Sequence, residues 1–185
     1  MYDHVIEDCS SRMEKTITAL HYTFNNIRTG RANPKLLDSI RIDYYGVDTP
    51  LTQIAGVSAP EARLLLISPW DVKALPQIER AILQSDLGLN PSNDGKVIRL
   101  AIPELNEERR KDLSKLARKE SEDSKVAIRN IRKDGMDQFK KMEKNKEITE
   151  DDLRIASDKL QKTVDDFIKK IDEVLEKKIT EIMQV

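Results

Sequence analysis

Cysteine is almost missing from this chain: Cys9 is the only one in 185 residues, so no internal disulfide can form and a reducing compartment suits it. Aromatic side chains are also scarce, 4% of the chain, which fits long solvated helices better than a large globular core. The two histidines, His4 and His21, are isolated and form no acid–base or metal-ligand pair. No run of about 18 apolar residues occurs, so no membrane-spanning helix is encoded. The N-terminal residues 1–8 are acidic and lack the cationic segment of a signal peptide, and a cytoplasmic protein is expected. Charge of one sign is not in excess either: 32 Lys and Arg face 33 Asp and Glu, a net of −1, so total charge points to no partner. There is no dinucleotide fingerprint and no nucleophile motif. The Gly88–Lys96 stretch has the wrong spacing for a phosphate loop, with Val97 where Ser or Thr is needed. No catalytic residue, metal ligand or cofactor is therefore assigned, which weighs against an enzyme.

What the chain does have is charge sorted along its length. Residues 106–144 carry 13 Lys or Arg against 9 acids, whereas residues 149–185 carry 7 against 10. A near-neutral protein with one basic helix is built to present one cationic face to one anionic surface.

Periodicity gives the organisation. Ile6, Cys9, Met13, Ile17, Leu20, Phe24 and Ile27 recur in threes and fours and predict a helix over 2–28, stopped by Gly30 and Asn33-Pro34. Helical grammar returns after Pro103. Asn106 is positioned to cap a helix over 106–144, with a predicted inner stripe of Leu113, Leu116, Ala117, Ser124, Ala127, Ile131, Gly135, Gln138 and Met142. Thr149 and the acids that follow it open a third helix to about 183. Between the first two helices lie short strand candidates at 39–45, 54–58, 63–68 and 96–102, with turn chemistry at 46–50, a helix over 71–85 and a loop over 87–95. The fold class expected is α+β: a long three-helix bundle (residues 1–30 and 104–185) with a small inserted α/β-containing domain (31–103). Gly30, Arg31, Ala32, Asn33 and Pro34 on one crossing, with Ile102, Pro103, Glu104 and Leu105 on the other, are the hinge candidates.

On a helical wheel Arg110, Arg118, Lys125, Arg129 and Arg132 gather on one side of the 106–144 helix, over roughly 33 Å of its length. Arginine predominates, and its planar fork suits phosphate and base contacts that lysine cannot make. A second cationic cluster, Arg28 and Arg31, sits at the first hinge crossing, where it also suits a helix C-terminus. Trp70, Tyr44 and Tyr45 are able to stack on bases, although packing in a strand or loop is the expected role. A coiled-coil protein without an RNA role and an enzyme built on the insert are the rival readings.

Five separated motifs, Arg28–Pro34, Tyr44–Gly46, Ser85–Pro91, Glu107–Lys111 and Ala127–Arg132, resemble the bacterial and organellar ribosome recycling factor family nearly end to end. The resemblance implies an L-shaped, hinged molecule that mimics tRNA and is a monomer. It implies that the factor splits the post-termination ribosome together with elongation factor G and GTP. Its arginine-bearing helix would bind large-subunit rRNA, with Arg28, Arg31, Arg110, Arg129 and Arg132 as the contacts carried over by position. Gly135 departs from the family pattern and is expected to weaken its helix by about 1 kcal/mol relative to alanine.

Overall fold

The computed structural model describes residues 1–27 and 29–184. In chain order the elements are α1 (Asp3–Asn25), a 3-10 turn (Pro34–Leu37), β1 (Arg41–Tyr44), β2 (Val47–Pro50), α2 (Leu51–Ile54), β3 (Ala55–Glu61), β4 (Leu64–Pro69), a second 3-10 turn (Val72–Ala74), α3 (Leu75–Gln84), β5 (Pro91–Asn93), β6 (Ile98–Ala101), α4 (Glu107–Lys144) and α5 (Glu150–Met183). They divide into two compact units, residues 1–27 with 108–185 and residues 28–107.

The first unit is the three-helix bundle. α1 buries Val5, Cys9, Met13, Ile17, Leu20 and Phe24, and α5 buries Ala156, Leu160, Val164, Phe167, Ile171 and Ile182. Pairs between helices fix their directions. Asp3 meets Lys159 and Glu14 meets Lys170, so α1 and α5 run parallel. Lys125 meets Asp172, and Ser114 donates to the Met183 sulfur at 3.8 Å, so α4 and α5 run antiparallel. The α4 stripe differs from the one expected. Its buried residues are Leu113, Ala117, Ser121, Ile128, Ile131, Gly135 and Phe139, while Leu116 and Gln138 are exposed. Leu113, Ala117, Ile131 and Gly135 of the expected stripe are buried, and the row is completed by Ser121, Ile128 and Phe139 instead of Leu116, Ser124, Ala127, Gln138 and Met142.

The α4–α5 hairpin is closed by two complementary motifs. The Lys146 N–H donates to Glu143 O and the Glu147 N–H to Met142 O, the paired bonds of a Schellman ending, with Lys146 at φ 62°. Thr149 then accepts from the Asp152 N–H while Asp152 accepts from the Thr149 N–H, a complete capping box. Those bonds, and the Thr149 hydroxyl, hold the Asp152 carboxyl below its usual range.

The second unit is a four-stranded antiparallel sheet in the order β3-β4-β6-β5 beside the separate β1–β2 hairpin. Leu65, Ile67, Ile98 and Leu100 from the sheet share one core with Leu75, Ile78 and Ile82 of α3. Two elements read as turn and loop in the sequence are strands. β2 pairs with β1 (Tyr44↔Val47, Ile42↔Thr49), which moves the turn back to Tyr45-Gly46. β5 is held by β6 through Pro91↔Leu100 and Asn93↔Ile98. Tyr45 (φ 52°) and Gly46 (φ 80°) are the two positive-φ residues of a tight hairpin turn. A tyrosine in that backbone region costs about 1 kcal/mol more than glycine. In the 87–97 stretch the amides turn inward: Asn93 accepts from the Gly95 N–H, and Asp94 accepts from the Lys96 and Val97 N–H groups at 2.9 Å and from Arg99 at 2.6 Å. These bonds hold the Asp94 carboxyl at about 2 and leave no cradle for a phosphate.

Candidate nucleic-acid interface

α4 sorts its charge around its circumference. At about 100° per residue, Arg118, Arg129 and Arg132 share an arc of roughly 60°, while Asp112, Glu120, Asp123, Asp134 and Asp137 fall on the other flank. Contacts with the neighbouring helices orient the two flanks. On the acidic side Asp134 accepts from Arg12 of α1 at 2.7 Å, and that bond holds the arginine in its charged form. On the basic side Lys125 reaches Asp172 of α5 at 2.6 Å and Glu122 at 3.5 Å. The cationic flank therefore lies along the α5 side of α4, and those five acids lie on the α1 side, while Glu107, Glu122 and Glu143 fall on or beside the basic arc.

Of the residues expected on this flank, Arg118, Arg129 and Arg132 are exposed and have no ion-pair or hydrogen-bond partner among the described residues. Arg129 and Arg132 are three positions apart, within one turn. Two of the other expected members are placed differently. Lys125 is mostly buried and spent on Asp172 and Glu122, whose hydrogen bonds and charges raise its pKa. Arg110 is at the same helical phase as Ile128, so its side chain is partly buried and its Nε is enclosed without a partner among the described residues. Arg31 is exposed and belongs to the other unit. Arg28 lies outside the described residues.

The hinge candidates are fastened to the second unit at both crossings. The Ala32 N–H donates to Ala62 O at 2.7 Å and the Ile102 N–H to Arg63 O at 2.8 Å, while Arg63 pairs with Glu104. Gly30, at φ 74°, lies against the Leu105 side chain.

The aromatic residues also depart from expectation. Trp70 is 73% and Tyr45 76% exposed, so a packing role fails for both, and only Tyr44 is half-buried. A sequence signal for Tyr45 was available: a tyrosine directly before glycine, where a tight turn prefers asparagine. Cys9, by contrast, is core, and burial followed by Asp8 pushes its thiol up, so it stays protonated. Among the described residues no helix is long and apolar enough to cross a membrane, and no group of three or more His, Cys, Asp or Glu is placed to hold a metal.

Comparison with known proteins adds a consistent result. Residues 5–183 match the family model described as ribosome recycling factor. The chain is 54% identical to the ribosome-recycling factor of Nitratidesulfovibrio vulgaris (strain DP4) over 183 residues, 99% of this chain and 98% of that one. It is 54% identical to that of Geobacillus kaustophilus over the full length of both. Among solved structures it is similar to a solution structure of the ribosome recycling factor, with TM-score 0.81 and 35% identity over 100% of this chain and 98% of the other. It is also similar, with TM-score 0.70 and 44% identity over the whole of both chains, to the T. thermophilus factor in models with E. coli elongation factor G bound to the E. coli post-termination complex.

Proposed function

Because this chain belongs to the ribosome recycling factor family, whose members are non-catalytic translation factors, we propose that it grips large-subunit rRNA through the basic flank of α4. Together with elongation factor G and GTP it then splits the post-termination ribosome and frees it from mRNA. The observation that supports the rRNA assignment is the set of three exposed arginines, Arg118, Arg129 and Arg132, gathered on one flank of α4 without an ion-pair partner among the described residues, with Asp112, Glu120, Asp123, Asp134 and Asp137 on the other flank. Within a folded protein, exposed arginines beside available carboxylates tend to pair with them; here Asp134 and Asp172 are taken by Arg12 and Lys125. Guanidinium groups held in this way are ready for bidentate phosphate contacts, since no internal ion pair must first be broken.

Arg31 and Arg28 extend the proposed contact, and Arg110 supports it from the start of α4 rather than as a free cation. The joint is proposed at residues 30–34 and 102–105, where Gly30 accepts positive φ and Pro103 offers no backbone donor. GTP hydrolysis belongs to elongation factor G; the role of this chain is to transmit force between the subunits. It acts as a cytoplasmic monomer on this reading.

The test is Arg132→Ala. Its exposed, unpaired side chain contributes little to folding, so the thermal midpoint stays within about 2 °C of wild type. Affinity for the isolated large subunit falls by roughly 1–3 kcal/mol, the loss of charge-assisted hydrogen bonds. Unchanged affinity in a filter-binding titration contradicts the assignment. Polysome breakdown that proceeds equally with and without this chain, in the presence of elongation factor G and GTP, contradicts the recycling reading as a whole.

A further inference from the structure

The β1–β2 hairpin and the approach to α3 enclose an open concavity of about 320 Å³, lined by Asp43, Tyr44, Tyr45, Asp71, Lys73 and Gln77. Tyr45 occupies the first position of the tight turn at φ 52°, where an asparagine or glycine fits the backbone better. Its side chain is almost fully solvated, yet its hydroxyl donates to Asp71 Oδ2 at 3.2 Å and its ring meets Tyr44 edge-on at 4.6 Å. The ring is thus exposed and held in place by Asp71 and Tyr44, and it adds nothing to the core.

The charges around it are also left open. Asp71 Oδ1 accepts from the Lys73 N–H, so each oxygen of this carboxylate keeps a further acceptor site. Asp43 stands directly opposite Asp48 across the hairpin, an unfavourable placement of like charges. Arg41 neutralises Asp48 at 2.7 Å, and Asp43 has no cation among the described residues. Lys73 is the only cation of the lining and forms no ion pair with either acid among the described residues. Two carboxylates therefore share the site with one ammonium. Val47 and Trp70, which follow the turn and precede Asp71 in sequence, are exposed as well and add apolar surface.

An anion or a nucleotide phosphate is repelled by this arrangement, and a divalent metal lacks the oxygen ligands it needs. A planar cation satisfies it, because a guanidinium stacks on an aromatic face and offers forked donors to carboxylates. We infer that this concavity receives an arginine side chain of a protein partner, with the Tyr45 ring against the guanidinium and Asp43 and Asp71 as its acceptors. The exposed Trp70 and Val47 favour a protein over free arginine, since they extend the contact beyond the charged tip. The setting in recycling rests on the function proposed above; the site itself does not.

The first arm of the experiment follows backbone amide shifts of the full-length ¹⁵N-labelled chain as a blocked Gly-Arg-Gly peptide is added, with the citrulline peptide as the neutral isostere. Saturable shifts at Tyr45, Gly46, Asp71 and Lys73 are expected, with a dissociation constant in the millimolar range and about tenfold weaker binding of the citrulline peptide. Asp43→Asn and Asp71→Asn each weaken the arginine peptide about fivefold, and Lys73→Gln tightens it about twofold. Tyr45→Asn suits the turn, so it keeps the fold by thermal melting while losing the ring and the binding. Shifts that do not saturate, an equal response to citrulline, or shifts centred on the acidic helix faces overturn the site. In the second arm, the Asp43→Asn/Asp71→Asn double variant slows polysome breakdown about fivefold without altering large-subunit binding; unaltered breakdown overturns the protein-partner assignment. An inactive wild-type chain in that assay would instead refute the recycling reading and leave the peptide titration standing.

Discussion

Gly135 shows how a residue's meaning is set by what it faces. Helix propensity alone makes it a weak point in α4, and alanine there should help by about 1 kcal/mol. In the structure it is buried, and a Cβ would lie 2.8 Å from Cys9 Sγ of α1 and 2.8 Å from Leu160 Cδ2 of α5. Both neighbours are themselves fully buried and have little room to retreat. Overpacking of this kind costs roughly 1–3 kcal/mol, more than the propensity gain. Gly135→Ala is therefore expected to destabilise the bundle by about 1 kcal/mol in denaturant unfolding. Adding Cys9→Ala should make the pair less damaging than the sum of the singles, and strict additivity would refute the contact. Lys178 is the opposite case, a residue that costs stability where it stands. Its side chain is only 10% exposed, its one ion-pair partner among the described residues is Glu181 at 3.5 Å, and desolvation lowers its pKa below 10.5. Because the depressed pKa belongs to the folded state, the cost is fully present below that folded value and disappears above the unfolded value of 10.5. Wild type should thus gain stability between neutral pH and pH about 10.5, whereas Lys178→Met should start about 1 kcal/mol more stable at pH 7 and lack that gain. Equal pH dependence of the two denaturation midpoints would argue against it.

At the scale of elements, the long helical periods and the short apolar strands β1, β3, β4 and β6 were readable, whereas β2 and β5 were not. α1 and α5 follow from apolar spacing because an amphipathic helix writes its buried face many times over. β2 and β5, four and three residues long, have no such redundancy; pairing with β1 and β6 makes them strands, and Pro50 and Pro91 disguise them. In α4 the wheel located the exposed arginines Arg118, Arg129 and Arg132, but it did not show that Lys125 and Arg110 are partly buried. Lys125 is claimed by Asp172, and no single-helix reading can see an acid on another helix. The α4–α5 connection was legible at one end only. Thr149 announces its capping box in sequence, whereas nothing marks Lys146 as the left-handed residue of the Schellman ending. These two ends should respond in opposite directions. Thr149→Ala removes a side-chain cap and should destabilise the bundle by about 1 kcal/mol. Lys146→Gly relieves the strain at φ 62° and should stabilise it by about 1 kcal/mol. Thermal or denaturant midpoints that move the same way for both would show that the connection does not govern the hairpin.

For the whole molecule the telling quantity is how few of its cations gather on that one flank of α4. The chain holds 32 Lys and Arg, and 13 of them fall in residues 106–144. Several of its basic residues are committed inside the protein: Lys125 to Asp172, Arg12 to Asp134, Lys159 to Asp3 and Lys170 to Glu14. The flank that remains consists of Arg118, Arg129 and Arg132, with Lys115, Lys133 and Lys140 at its margin. Counterion release measures this directly, since each phosphate neutralised adds about −0.9 to the slope of log affinity against log salt. A chain that used all 13 Lys and Arg of α4 would show a slope of about −12, whereas three to five phosphate contacts give about −2.7 to −4.5. Binding to the large ribosomal subunit between ~50 and ~200 mM salt should therefore follow the shallower line. Replacing Arg118, Arg129 and Arg132 together with alanine should flatten it by about 2.7 while leaving the melting temperature nearly unchanged. A slope that stays the same in the triple variant would place the contact on another face, and a flat wild-type plot would remove phosphate from the interaction altogether.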